Sequence, residues 1–457
     1  MRDRPEFAPL FWLALFGFGL KAGLFPLHIW LPSAHANAPS HVSAILSGVA
    51  IKMGIYGIVR FSGWISTSSS AGWVVVVLGV ESAVLGVVFA LGQHDIKRLL
   101  AYHSVENIGI ILIGVGFAMV AASNNHPAWG GLALAGGLLH VWNHGLFKSL
   151  LFFGAGSVHH ATHTREMSRL GGLWQRMPWT ASLFALGAAA ISGLPPLNGF
   201  ISEWLLYLGM FDAINHPKAP ILAAVPAVIL LAMTGALALA CFVKACSIMF
   251  LGAPRSQVAR NAHESSSWML GPIVVLASLC LAIGLAPTLF WPVLKNALTS
   301  WNGSWTTLHA PESLSAISII HVSLLTMAII AASLLWRRSH RNCWRRSVTW
   351  DCGYASPSAR MQYSAGSFAS IIKEWFAWIL FPERHEKRPD TPFPRSASCE
   401  EHTPETVLEC VVEPFSRSIL KISGMVRRLQ NGRTHAYILY LIFGLAAVAT
   451  MILAWDR

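Results

Sequence analysis

Charge is scarce in this chain. Asp, Glu, Lys and Arg make up 12% of its 457 residues, hydrophobic residues make up 54%, and mean hydropathy is positive. A soluble domain carries about 25% charged residues, so this composition excludes one and indicates a membrane protein. Cysteine is also sparse: none of the seven stands in a C-x-x-C pair, which argues against iron–sulfur or zinc ligation by this chain. The first apolar segment is not expected to be a cleavable signal peptide, because it is too long for one and carries Lys21. It reads as a spanning helix.

Apolar runs recur at 8–31, 42–62, 73–93, 98–120, 130–157, 179–211, 220–251, 268–291, 315–336 and 435–455. Each is near or above the ~20 residues a bilayer requires, so the expected fold is all-α and polytopic with about ten transmembrane helices. The net charge of +12 is distributed to match. Lys97 and Arg98 follow the third helix, Arg165, Arg169 and Arg176 the fifth, Arg255 and Arg260 the seventh, and a basic stretch from Arg337-Arg338 the ninth. The other connections hold little beyond Arg60, Lys218 and Lys295. The odd-numbered helices then end in the cytoplasm, although Arg2 and Arg4 run against that assignment. The basic excess needs no nucleic-acid partner. Three regions follow: a transmembrane domain over 1–337, a basic cytoplasmic segment over 338–434 with an amphipathic, aromatic-rich Phe368–Leu380, and a last transmembrane helix in 435–457. Phe368–Leu380 suits either a membrane surface or a partner.

Against this apolar background a few ionisable groups stand out. His140, His144 and Lys148 are spaced i, i+4, i+8, one stripe of a helix. A Lys near the bilayer centre costs roughly 2.5–3.5 kcal/mol, so the stripe should face other helices. Two readings are open: interhelical hydrogen bonding with Lys148 reaching a surface, or a proton relay. Lys21 is followed by Pro26, which should break the first helix beside a charge. Lys52 lies too far from the nearest loop to reach it and should point inward. Glu81 is a mid-span acid, and Glu106 is either solvated near a helix end or part of an ion path. Lys97 and Arg98 read as surface anchors, and His159, His160 and His163 as a solvated loop rather than a metal site. In the sixth segment Pro195 and Pro196 cannot continue a helix, and Glu203 follows about two turns later. Two Pro-interrupted helices, each followed by a helix bearing a Lys (Lys52, Lys244), point to an ion pathway built from repeats.

The series Lys21 with Pro26-Leu-His-Ile-Trp-Leu-Pro32, Ala-His-Ala-Asn-Ala-Pro39, Ile-Lys52-Met-Gly-Ile-Tyr-Gly, Asp95-Ile-Lys-Arg-Leu-Leu-Ala-Tyr102, His144-Gly-Leu-Phe-Lys148 and Gly193-Leu-Pro-Pro-Leu-Asn-Gly-Phe resembles the antiporter-like membrane subunits of respiratory complex I and its relatives. Tyr-His-Ser-Val-Glu-Asn107, Thr-Trp350-Asp-Cys-Gly-Tyr and Arg360-Met-Gln-Tyr363 look more like the hydrogenase-4 component B and formate hydrogenlyase subunit 3 branch. The resemblance implies two inverted five-helix repeats around a hydrophilic axis in the membrane plane. It assigns Lys21, Lys52, His140, His144, Lys148 and Glu203 to a proton relay; Glu81, Glu106 and Lys244 are candidate accessory groups by their own position in the apolar runs, and Glu81 departs from the family pattern. On this resemblance the chain starts just before the family's seventh helix. Six helices and an acid pairing with Lys21 would then lie outside it.

The expectation is a proton-translocating subunit of a hydrogenase-4, formate-hydrogenlyase or NADH:quinone-oxidoreductase type complex in the inner membrane. It would have no cofactor of its own. Its partners would be other membrane subunits and, through them, iron–sulfur, hydrogenase or dehydrogenase subunits. A subunit of a multi-subunit cation/proton antiporter and a non-conducting fragment are the alternatives. Topology is checked with a membrane-impermeant thiol reagent: Cys399 should label in inverted vesicles and not from outside intact cells.

Overall fold

The computed structural model describes residues 7–215, 221–341, 359, 361–387, 391, 398–430 and 432–455. Arg345-Arg346 and the Thr349–Tyr354 motif lie outside the described residues. Two compact units are present, Met1–Thr403 and Pro404–Arg457.

In the first unit α1 (Ala8–Ala22) and α2 (Trp30–Asn37) are the two parts of the first apolar stretch. Gly23, at φ 79°, caps α1 by donating to the carbonyls of Gly19 and Leu20, and Pro26 stands in the turn before α2. The helix is therefore broken as the sequence suggested, and α2 carries the chain on past the apolar run, through His35 to Asn37. Next come α3 (Ser40–Ile45), a π-helical segment Leu46–Ala50 and α4 (Lys52–Trp64), which make one apolar rod. The long helices α5 (Ser69–Gly92), α6 (Ile96–Ser123) and α7 (Pro127–Thr162) follow. The second interrupted helix is α8 (Pro178–Ile191) and α9 (Asn198–Asn215), parted at Gly193, φ 64°, and the two prolines. Further on are α10 (Ile221–Phe250), the one-turn α11 (Gln257–Arg260), α12 (Ser267–Leu285), α13 (Trp291–Trp301) and α14 (Glu312–Arg341).

All ten apolar stretches are helical. Among the described residues seven helices are long and apolar enough to cross a membrane, and Ala8–Ala22 and Pro178–Ile191 are shorter apolar helices. At 36 residues α7 is long enough, but His140, Asn143, His144 and Lys148 lower its hydropathy.

The segment expected to lie on a membrane surface or a partner folds as three short helices, α15 (Ala365–Phe368), α16 (Ser370–Trp375) and α17 (Ala377–Leu380). α16 and α17 pack on α5, burying Ala369, Lys373 and Leu380 and leaving Trp375 and Trp378 exposed. Gln362 joins this segment to the bundle through both backbone groups of Ala253, at 3.1 and 2.9 Å. An antiparallel ribbon, β1 (Glu383–Lys387) with β2 (Ser398–His402), departs from the all-α expectation. These polar residues lie outside the apolar stretches, where backbone pairing need not be helical. The second unit holds the amphipathic α18 (Glu413–Leu429) and the apolar α19 (Thr434–Trp455).

The centre of the first unit is α6, buried on every side from Leu99 to Ala121. It packs between α5 and α7, and α7 packs between α6 and α9. Glycines bring α5 and α6 into backbone contact: a Cβ on Gly79 would lie 2.8 Å from the nitrogen of Ile113, and one on Gly116 2.7 Å from that of Val76. Small residues at membrane helix interfaces permit this approach. Gly109→Leu should therefore force α5 from α6 and cost about 1–3 kcal/mol. Size-exclusion chromatography of a fluorescently tagged chain should show several-fold less monodisperse protein, while Gly17→Leu, which meets nothing within 4 Å, leaves the profile unchanged.

Candidate proton-path site

Lys148, His144 and His140 are fully buried on α7, facing α6 and α9. The Lys148 ammonium donates to the Leu100 carbonyl of α6 and stands 5.7 Å from the centre of the Phe152 ring. It does not reach a surface. His140 bonds through Nδ1 to Ser202 Oγ of α9 (2.9 Å) and through Nε2 to Asn107 Oδ1 of α6 (3.0 Å). Between them the His140 and His144 rings stack with centroids 6.5 Å apart. Neither His144 nitrogen bonds a protein group among the described residues.

The second lysine enters from the rod formed by α3, the π segment and α4. In the π segment Ile51 N–H bonds the Leu46 carbonyl, five residues back, at 3.1 Å. Such wide turns recur at functional sites. Here the turn sets the buried Lys52 ammonium on the Ser47 carbonyl. Ser47 Oγ then meets Ser104 Oγ at 2.9 Å, and Ser104 Oγ donates to the Leu100 carbonyl at 3.4 Å. The same carbonyl holds Lys148. Two serines therefore bridge the two lysines across α6, and the lysine charges act on each other.

Glu106 is buried on α6 and contacts His103 Nδ1, which rules out the solvated reading. Its charge also acts on Lys148. Asn107 Nδ2 bonds the His103 carbonyl at 2.7 Å, so Asn107 joins this acid–imidazole pair to His140. On α9, Asn143 of α7 bonds the Asn198 carbonyl (2.7 Å) and Ser202 Oγ (3.1 Å), fixing the start of α9 against the stripe. Glu203, next to Ser202, turns to the second helix break. A Cβ on Gly193 would lie 2.7 Å from its Oε2, so the glycine both adopts positive φ and makes room for the carboxylate. Glu203 is half-buried.

Three expected residues lie outside this line. Lys21 is exposed in the last turn of α1, because no described helix covers that face. Glu81 is exposed on α5. Lys244 is buried and donates to the carbonyls of Leu91 (2.7 Å) and Gln93 (3.0 Å), so it closes the C-terminal end of α5. Lys97 also differs from its surface-anchor reading: it is buried and donates to the Ala38 carbonyl at 2.8 Å, whereas Arg98 is exposed. Sequence reasoning missed Ser47, Ser104, Asn143 and Ser202. The only signal available was their position within five residues of an expected site residue.

At the end of the bundle carrying Lys97, a cavity of about 1020 Å³ is lined by His41, Asp95, Lys97, His159, Arg165 and Glu166, among others. His160 and His163 also line it and are exposed, as a loop reading expects. Asp95 accepts from the backbone of Lys97 (2.7 Å) at the start of α6 and pairs with Arg165 (3.2 Å). Burial raises the Glu166 carboxyl above its ordinary range. Behind the cavity wall His35 is buried and stacked on Phe152, 4.7 Å between centroids.

The family described as NADH:quinone oxidoreductase/Mrp antiporter, TM, matches residues 1–216. Hydrogenase-4 component B of Escherichia coli K12 is 37% identical over 97% of this chain and 68% of its own length. Formate hydrogenlyase subunit 3 of the same organism is 39% identical over 83% of this chain and 62% of its own length. The chain thus spans about two thirds of these relatives. The membrane-bound sulfane sulfur reductase, an archaeal respiratory membrane complex, contains a chain that aligns with 97% of this one at 22% identity and a TM-score of 0.72, covering 69% of that chain, a likeness of fold. With its helical bundle and broken helices, this chain belongs to the multi-pass membrane-subunit family of NADH:quinone oxidoreductases and Mrp antiporters, alongside hydrogenase-4 component B.

Proposed function

We propose that this chain is the proton-translocating membrane subunit of a hydrogenase-4, formate-hydrogenlyase or NADH:quinone-oxidoreductase type complex in the inner membrane. The supporting observation is the buried line from Lys52 through Ser47 and Ser104 to Lys148, continued by His144 and His140 to Ser202. Serine hydroxyls both donate and accept, and a neutral imidazole donates at one nitrogen and accepts at the other, so these side chains can pass a proton; the Ser47 and Leu100 carbonyls that hold the lysines only accept, and at those links water carries it. Two buried cations repel far more strongly than they would in water. A proton held at Lys52 therefore opposes one at Lys148, and the second moves on to the histidines. Water at His144, whose buried nitrogens bond no protein group among the described residues, completes the step. Glu203 is the terminal acceptor, and the cavity lined by Lys97 and Glu166 is the intake.

The driving electron transfer belongs to partner subunits carrying iron–sulfur, hydrogenase or dehydrogenase centres, with the 338–434 segment on their cytoplasmic side. A cation/proton antiporter subunit is the second reading, favoured by the shared family. The two separate on what energises transport: an electron donor for the first, an imposed ion gradient alone for the second.

Lys148→Ala should leave membrane insertion intact, since it removes a buried charge, and lower the proton-to-electron ratio of the reconstituted complex by at least half. An unchanged ratio would remove Lys148 from the path. Ser104→Ala should slow proton uptake several-fold, as the bridge loses its central hydroxyl, while Ser104→Thr stays near wild type. Stopped-flow with an enclosed pH dye distinguishes these outcomes.

A further inference from the structure

The buried line stops at Glu203, and α14 carries an ionisable group beyond it. His321 is the only ionisable side chain between Glu312 and Arg337. Its neighbours Ile319, Ile320 and Val322 are exposed, whereas His321 is 1% exposed. Its Nδ1 stands 2.7 Å from the Gly284 carbonyl of α12, and its ring meets the Phe200 ring of α9 edge-on at 5.3 Å. A carbonyl only accepts, so Nδ1 carries the hydrogen and Nε2 is left to take a proton.

Glu203 and His321 both adjoin the second helix break. Gly193 makes room for the Glu203 carboxylate, and a Cβ on Gly284 would run into the Pro196 carbonyl. Phe200 precedes Glu203 by three residues of α9, so the two side chains are neighbours on one face. Trp204, stacked on Phe200 at 5.9 Å, has a buried indole N–H with no protein partner among the described residues. A buried donor of this kind calls for water. The place is also remote from the Lys97 cavity: α12 lines that cavity with Trp268, Met269 and Pro272, and Gly284 lies 12 residues beyond Pro272, about 18 Å along the helix.

We infer that His321 is the release-side proton group of this chain: it takes, through water, the proton that Glu203 gives up and passes it to the surface opposite the Lys97 cavity. The inference rests on the proton-path reading and extends it past Glu203. The Glu203 carboxylic acid loses its proton to water, water protonates Nε2, and the imidazolium keeps its Nδ1 hydrogen on Gly284. When the next proton neutralises Glu203, the carboxylate charge that attracts the imidazolium is gone. Nε2 then yields its proton outward. A purely structural His321 would only pin α14 to α12, and any N–H donor in the place of Nδ1 would do that equally well.

The test uses the whole complex in proteoliposomes, with one pH dye enclosed and another outside, and follows proton uptake and release after a single pulse of electron donor. His321→Asn keeps an N–H for Gly284 but cannot take a proton. It should leave first-turnover uptake near wild type and slow release at least tenfold. Should His321→Asn fail to assemble, the same split is read in His321→Gln. Release at the wild-type rate, or uptake slowed as much as release, would overturn the inference. Lys148→Ala in the same assay should lower uptake itself by at least half. If it leaves uptake and release unchanged, the proton path and this inference fall together; if it lowers uptake while His321→Asn releases normally, only this inference falls.

Discussion

Two ammonium groups, Lys52 and Lys148, are held inside an apolar bundle by backbone carbonyls rather than by carboxylates. Burying a charge is tolerable only where its hydrogens find acceptors. Much of the first unit follows from supplying them. The Leu100 carbonyl can face Lys148 because α6 is enclosed on all sides, and α6 is enclosed because glycines let α5 come into backbone contact with it. The Ser47 carbonyl faces Lys52 from the wide turn before α4.

Carbonyl acceptors have a functional consequence. A carboxylate partner would hold a fixed counter-charge beside each lysine, whereas a carbonyl accepts from an ammonium or an amine and favours neither by net charge. The acid that does act on Lys148, Glu106, is itself engaged by His103. The charge of Lys148 thereby acts on Lys52 and that of Glu106 on Lys148, which is what the proposed relay requires.

The two broken helices look alike in sequence but are used differently. At each break a glycine takes positive φ before the proline turn. At the first, the following backbone is tied to Ser82 of α5 and Lys21 remains exposed. At the second, the glycine makes room for Glu203, and Ser202 one residue earlier is bonded to His140. Only the second break is joined to the buried line within the described residues.

Much of this was legible from residues alone. Apolar run length determined the helices, prolines the two breaks, and i, i+4, i+8 spacing the alignment of His140, His144 and Lys148, because these depend on chain-local geometry. A lysine or acid within an apolar run, however, does not declare which way it faces. Lys52 and Lys148 turned inward, Glu81 and Lys21 outward, and Lys244 toward a helix end, since the neighbouring helix rather than the residue sets the direction. The serines and asparagines were illegible because small polar residues are common in helices and acquire a role only through a partner distant in the chain, as Ser47 does from Ser104, 57 residues away. The sequence by itself determined which groups must be sheltered from lipid; the tertiary structure decided which of them are linked through the two serines, because that requires the rod carrying Lys52, α6 and α7 to meet at one point.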